Sequence, residues 1–208
     1  MPVVTSLESE SRSGGIRIQL DGAPFVTVGA ADVAGLGVRL GAELAPPRVA
    51  DLERCADVFG ARAVALRMLA ARALPSVELE RRLVRRGHGP EAAKVAVAAL
   101  VASGLVDDAE FARHFARTRA QRRRVGPVRL ERELRRFGVA PADAQAAVHD
   151  ALEADGVDVA SLLREAALRK QKSLAGKDPK AARRSLRAYL LRQGFGASDI
   201  AALLRSTR

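Results

Sequence analysis

Residues 126–141 read GPVRLERELRRFGVAP, and within them Leu130, Leu134 and Gly138 stand four apart. The same Leu-x3-Leu-x3-Gly spacing occurs at Leu79, Leu83 and Gly87 and again at Leu186, Leu190 and Gly194, so the copies lie 51 and 56 residues apart. A separation of four puts both leucines on one helical face, and the glycine suits the left-handed position that ends a helix. In the first two copies a proline follows, Pro90 and Pro141, where a new helix should begin, because proline is favoured at the first helical position. Ala197 takes that place in the third copy. A helix end followed at once by a helix start, three times over at a near-fixed period, is the signature of a helical repeat.

Each copy belongs to a three-helix unit, and the units are predicted at 61–106, 107–155 and 156–208. Helix starts are marked by Ser76 after Pro75, by Asp107 with Glu110 as a capping box, by Gly126 with Pro127, and by Asp178 with Pro179. A unit this short buries little apolar surface alone, so neighbours are expected to stack into an elongated, curved array. The expected fold class is mainly α: three tandem three-helix repeats preceded by a β-hairpin and short helices.

The residues ahead of the repeats differ in pattern. Residues 1–15, rich in Ser, Glu and Gly towards their end, read as a flexible tail. Ile16, Ile18 and Leu20 alternate with polar residues, Asp21 to Pro24 supplies turn chemistry, and Phe25, Val26 and Val28 resume an extended pattern, which predicts a hairpin. A short helix from Ala31 to Leu36 is stopped by Gly37 and Gly41, and Pro46 and Pro47 open another near 48–59. Segment 16–60 is therefore a hairpin plus helices. An isolated hairpin is marginal in water, so it packs within a monomer or exchanges with a second chain in a dimer.

The 208 residues hold 35 Lys and Arg against 24 Asp and Glu, a net charge of +11. An excess of that size implies a polyanionic partner. It is also blocked along the chain: −3 over 1–60, +2 over 61–112, +8 over 113–136, −5 over 137–163 and +9 over 164–208. Two basic blocks separated by an acidic stretch are candidate contact surfaces. The single Cys55 cannot form an internal disulfide, and with the scattered His88, His114 and His149 it composes no four-ligand metal site. The longest apolar run, Val95 to Ala102, has eight residues, short of the roughly 20 that a membrane span needs. Residues 1–15 contain no apolar stretch of the kind a secretory signal requires, and a cytoplasmic protein is expected.

On a helical wheel, Leu130, Leu134 and Phe137 fall opposite Arg129, Arg132, Arg135 and Arg136. Leu186, Tyr189 and Leu190 likewise fall opposite Lys180, Arg183, Arg184 and Arg187. Arg122, Arg123 and Arg124 are placed in the connection before Gly126, where a loop can present guanidinium groups to phosphates or carboxylates. Lys170, Lys172 and Lys177 hold a similar place in the third unit. Each stripe alone also fits a solvated helix face, but two stripes and two loops of one sign repel and call for a counter-charge. Aromatics are 3% of the chain with no Trp, which argues against single-strand binding on aromatic platforms. Phe111 and Phe115 read as core.

No catalytic pattern survives inspection. Gly176 and Lys177 resemble the end of a phosphate loop, but Gln171 stands where its first glycine should be and Asp178 where Ser or Thr should be. Gly35, Gly37 and Gly41 miss the dinucleotide spacing. Asp107 and Asp108 precede a helix, where capping is the expected role of such residues. A binding protein without cofactor or metal is expected.

The run from Ala65 through Leu79, Leu83 and Gly87, the connector Gly104, Leu105, Val106, Asp107, Asp108, Phe111 and Ala112, and the following Arg117, Arg119, Gly126, Leu130 and Leu134 resemble the RecX regulatory proteins. The resemblance spans about residues 15–208 and is strongest over 61–139. It implies a modulator of RecA, the recombinase that polymerises on single-stranded DNA, and with it a role in recombination, DNA repair and the SOS response. The resemblance further implies a protein that lies in the groove of the RecA filament and lowers its ATP hydrolysis, strand exchange and co-protease activity. On that reading the thirteen basic residues Arg122, Arg123, Arg124, Arg129, Arg132, Arg136, Lys170, Lys172, Lys177, Lys180, Arg183, Arg184 and Arg187 form the filament and DNA contact. The other reading of the residues is a DNA-binding protein or transcription factor whose three-helix units dock directly on single- or double-stranded DNA, sequence-tolerant because few Asn or Gln stand at the helix starts to read bases.

Overall fold

A computed structural model describes residues 1–11, 14–123, 125–154, 156–176 and 178–206, with the side chains of residues 121–123 outside the description. The chain divides into two units, Met1–Val106 and Asp107–Arg208.

The first unit begins with strands β1 (Val4–Glu10), β2 (Gly15–Leu20) and β3 (Ala23–Gly29), antiparallel in the order β1-β2-β3. The expected hairpin is β2–β3. Its two-residue turn is Asp21-Gly22, both at positive φ (50° and 81°), the pairing that lets a tight turn follow strand twist. The expected tail is corrected: Val4–Glu10 is a strand on the open edge of β2, not a loose segment. Val4 is buried, and its N–H and C=O bond to Ala42 and Gly41. The polar residues that suggest looseness are those of a charged sheet edge, which guards against pairing with other chains.

Helix α1 (Ala30–Gly35) follows, and then α2 runs unbroken from Pro46 to Ala71. The predicted boundary at residue 60 falls inside this helix. Leu52 packs into the sheet core with Ile18 and Val28, whereas Ala61, Ala65 and Met68 pack into the first repeat. Burial at both ends outweighs the roughly 1 kcal/mol that an interior glycine costs a helix. Helices α3 (Ser76–Arg85) and α4 (Pro90–Ala102) complete the unit. Ser76 is the first helical residue and Pro75 the N-cap. Leu79 and Leu83 are fully buried, and Gly87 has φ 95°.

One carboxylate ties α2 to the start of α4. Asp57 accepts from the Gly89 N–H at 2.8 Å and bonds the His88 ring at 2.7 Å. The Gly89 N–H, one of the donors that the start of α4 leaves unpaired, is thus satisfied by a side chain distant in sequence. Asp57→Ala should destabilise the first unit by about 1–3 kcal/mol, readable as a lower urea midpoint at unchanged m-value. Glu78 on α3 is the other informative carboxylate. Burial raises its pKa, but Arg82, bonded at 2.6 Å, with Arg85 and Arg81 outweighs burial and holds it below the ordinary 4.5. A folded-state pKa below the unfolded one stabilises above the ordinary glutamate range and ceases to do so as pH falls through the lowered value. The stability gap between the wild type and Glu78→Gln should therefore be full above the ordinary glutamate range and close as the pH falls below it. A gap independent of pH would show that the pairing contributes nothing.

The second unit comprises α5 (Asp108–Arg123), α6 (Pro127–Arg136), α7 (Pro141–Ala154), α8 (Val159–Lys172), α9 (Pro179–Gln193) and α10 (Ala197–Ser206). Asp107 accepts from the Glu110 N–H at 2.8 Å, so it caps α5 as expected. Asp178 caps α9 through the Ala181 N–H, and Asp158, which no sequence signal singled out, caps α8 through Ala160 and Ser161. Ala112, Ala116 and Ala120 are fully buried in a core with Leu130, Leu134, Ala144 and Val148. Small residues every four positions let α5 lie close to its neighbours. A separate core gathers Leu163, Leu186, Leu190, Phe195 and Ile200. Each Leu-x3-Leu-x3-Gly copy thus nucleates its own three-helix core, and Gly138 and Gly194 have φ 95° and 85°.

Candidate interaction surface

The two helices that carry the basic stripes, α6 and α9, meet at their ends. The first turn of a helix leaves N–H groups without partners and the last turn leaves carbonyls. Here the two sets satisfy each other: Gly126 N–H donates to the Gln193 carbonyl at 2.9 Å, and Val128 N–H to the Gly194 carbonyl at 3.2 Å. Pro127 between them has no N–H to strand. Helix-dipole ends of opposite sign are brought together. The approach leaves no room for side chains, since a Cβ on Gly126 would lie 2.4 Å from the Gly194 carbonyl oxygen and one on Gly194 would lie 2.3 Å from the Arg129 nitrogen.

Along α6, Arg132, Arg135 and Arg136 are exposed, and along α9 so are Lys180, Arg183, Arg184 and Arg187. Leu130, Leu134, Leu186 and Leu190 are buried on the opposite side. Arg129 is different. Its Nε donates to Glu133 at 2.9 Å and its Nη1 to the Gln193 side chain at 3.0 Å, with only 28% of the side chain exposed. This guanidinium braces the second repeat against the third.

Arg122 and Arg123 lie in the last turn of α5, not in a connection, and Lys170 and Lys172 lie in the last turn of α8. Both helices run further than the break signals suggest, and cations at a helix C-terminus complement its dipole. Lys172 is exposed, whereas Lys170 is half-buried with its Nζ 5.7 Å from the Tyr189 ring centre. Arg124 and Lys177 lie outside the described residues, as do the side chains of Arg122 and Arg123.

Two exposed arginines outside the wheels share a repeat position with Arg136. An exposed arginine stands two residues before the glycine in each copy: Arg85, Arg136 and Arg192. The signal is present in the sequence, but Arg192 sits off the end of the stripe drawn from Arg183. Elsewhere in the unit, a groove of about 820 Å³ is lined by Glu131, Glu153 and Asp158 over an apolar floor that includes Val148 and Leu152. Its charge has the wrong sign for a polyanion. Among the described residues, no three of His, Cys, Asp and Glu gather as a metal site, and no helix is long and apolar enough to cross a membrane. Cys55 is half-buried, and burial together with Asp32 and Asp51 pushes its thiol pKa up, which disfavours the reactive thiolate.

The family description "RecX, second three-helix domain" matches residues 107–148, which hold α5, α6 and most of α7. The regulatory protein RecX of Halorhodospira halophila is 38% identical over 143 residues, covering 68% of this chain and 84% of that protein. The regulatory protein RecX of Amycolatopsis mediterranei is 33% identical over 135 residues, covering 65% and 75%. A crystal structure of a regulatory protein RecX superposes with a TM-score of 0.76 at 21% identity, over 96% of this chain and 97% of that one, and so shares the fold. Helical repeats, sheet and sequence agree, and the chain belongs to the RecX family of regulatory proteins.

Proposed function

We propose that this protein binds the RecA filament formed on single-stranded DNA and lowers its ATP hydrolysis, strand exchange and co-protease activity, acting as a regulator and not as a catalyst. The observation that supports this most is the joining of α6 and α9: two helices, each exposing a row of cations, are held end to end by hydrogen bonds in one unit. A filament groove presents acidic protein surface and DNA phosphates together, and Arg132, Arg136, Lys180, Arg183, Arg184 and Arg187 match that chemistry. Lys172 and Arg192 are further exposed cations, in the last turns of α8 and α9. Arg129 contributes to it chiefly by fixing how α9 meets α6.

The test is binding to RecA assembled on labelled single-stranded DNA with a non-hydrolysable nucleotide, beside binding to the same DNA bare, over a series of salt concentrations. Tighter binding to the filament than to bare DNA at every salt supports the reading. Equal affinity for both, with a log-log salt slope of about −0.7 per phosphate neutralised, would mark a protein that acts on DNA itself.

A further inference from the structure

Glu133 is an anomaly on a basic face. It stands between Arg132 and the pair Arg135 and Arg136, and a surface made only to attract a polyanion has no use for a carboxylate there. Its side chain is 18% exposed and is shared by two guanidinium groups. Oε1 accepts from Arg129 Nε at 2.9 Å, and Oε2 lies 3.7 Å from Arg119 Nη1. Arg119 in turn lies over the Phe115 ring, 5.1 Å from its centre, and Phe115 packs edge-on against Phe137 at 5.4 Å. At the other end, Arg129 Nη1 donates to Gln193 Oε1 at 3.0 Å, while the Gln193 backbone carbonyl accepts from Gly126. Gln193 is therefore gripped twice by the second repeat, and one grip depends on Arg129 being held by Glu133.

We propose that Glu133 is a positioning residue: by holding Arg129 on Gln193 it sets the angle at which α9 leaves α6, and so the register of the two basic stripes. Leverage gives the scale. Arg184 lies nine residues up α9 from Gln193, or about 14 Å at 1.5 Å per residue. A swing of about 20° at the junction would displace it by about 5 Å, more than the 3.4 Å rise between phosphates on one strand. At the contact of α6 with α9 the backbone bonds from Gly126 and Val128 form a narrow seam, while Val159 and Leu162, which pack against both cores, join the repeats elsewhere. The side-chain bond adds a third point off that seam.

This inference rests on the filament-binding reading, but its test separates the two. Glu133→Ala and Glu133→Gln are compared with the wild type by amide hydrogen exchange and by affinity for the RecA filament and for bare single-stranded DNA at one salt concentration. Simple electrostatics gives the opposite sign to positioning, since removing a carboxylate from a basic face should tighten binding to any polyanion. Positioning predicts weaker binding by about 2- to 30-fold for Glu133→Ala, with faster exchange at the Gly126 and Val128 amides and unchanged exchange at Leu134 inside α6. Glu133→Gln, whose amide oxygen still accepts from Arg129 Nε, should stay closer to the wild type in both measurements. Gln193→Ala should not add to Glu133→Ala, because both break one linkage. Tighter or unchanged binding by Glu133→Ala, or unchanged exchange at Gly126 and Val128, would overturn the proposal. If the wild type shows no preference for the filament, the filament reading fails, and the same comparisons on bare DNA and by exchange decide the role of Glu133.

Discussion

Replacing Gly194 with alanine should lower the unfolding temperature of the Asp107–Arg208 unit by roughly 15 °C, at about 4–8 °C per kcal/mol for a domain of this size. Two independent costs add at this position. Gly194 has φ 85°, where a Cβ costs about 1–2 kcal/mol. That Cβ would also sit 2.3 Å from the Arg129 nitrogen and 2.4 Å from its Cβ, an overlap that only a backbone shift can relieve, at about 1–3 kcal/mol. Two other glycines in the unit separate the two costs. Gly176 has φ 82°, and a Cβ there would meet nothing within 4 Å, so alanine at that position suffers strain alone. Gly126 has φ −75°, a conformation alanine adopts freely, but its Cβ would lie 2.4 Å from the Gly194 carbonyl oxygen. Thermal unfolding should rank Gly194→Ala as the most damaging, and Gly126→Ala should additionally loosen the α6–α9 junction. If Gly176→Ala and Gly194→Ala proved equal, close approach at the junction would have no energetic weight.

The second large effect is electrostatic. Reversing Arg132, Arg136, Arg183 and Arg187 together to glutamate should weaken filament binding by at least about 100-fold and flatten the log-log salt slope by about 3, at 0.7–0.9 for each phosphate left unneutralised. All four side chains are exposed on helices whose buried leucines lie opposite, so the fold should survive, with circular dichroism unchanged. Arg129 does not belong in the set. A glutamate there would face Glu133, which Arg129 now pairs, and would mix damage to the surface with damage to the junction. Retained affinity in the fourfold variant would mean that α6 and α9 are not the contact surface.

The repeats are legible in the sequence because their determinants are local. A leucine pair at i and i+4 followed by a left-handed glycine specifies a buried face and a helix end with no knowledge of the rest of the chain, and all three copies fold as that pattern requires. The parts that escape sequence reasoning depend on partners distant along the chain. Val4–Glu10 has too few apolar residues to announce a strand, and becomes one because β2 offers its edge. Gly60 looks like a break, yet cores at both ends of α2 carry the helix through it. Arg129 falls on the basic side of the wheel, and nothing near it in sequence indicates Gln193, 64 residues on. Gly126 is recognisable as a helix start, but the reason that no other residue fits there, the Gly194 carbonyl, lies in another repeat. A helical wheel therefore finds which residues face solvent and cannot tell a contact residue from a brace.

The central claim is tested most directly by RecA ATP hydrolysis on single-stranded DNA during titration with this protein, with binding to bare DNA followed at the same salt. Inhibition is expected at concentrations well below those that cover free DNA, and it should disappear in the fourfold charge-reversed variant. Hydrolysis that fell only as the DNA became saturated would contradict the claim, and would identify a competitor for DNA in place of a regulator of the filament.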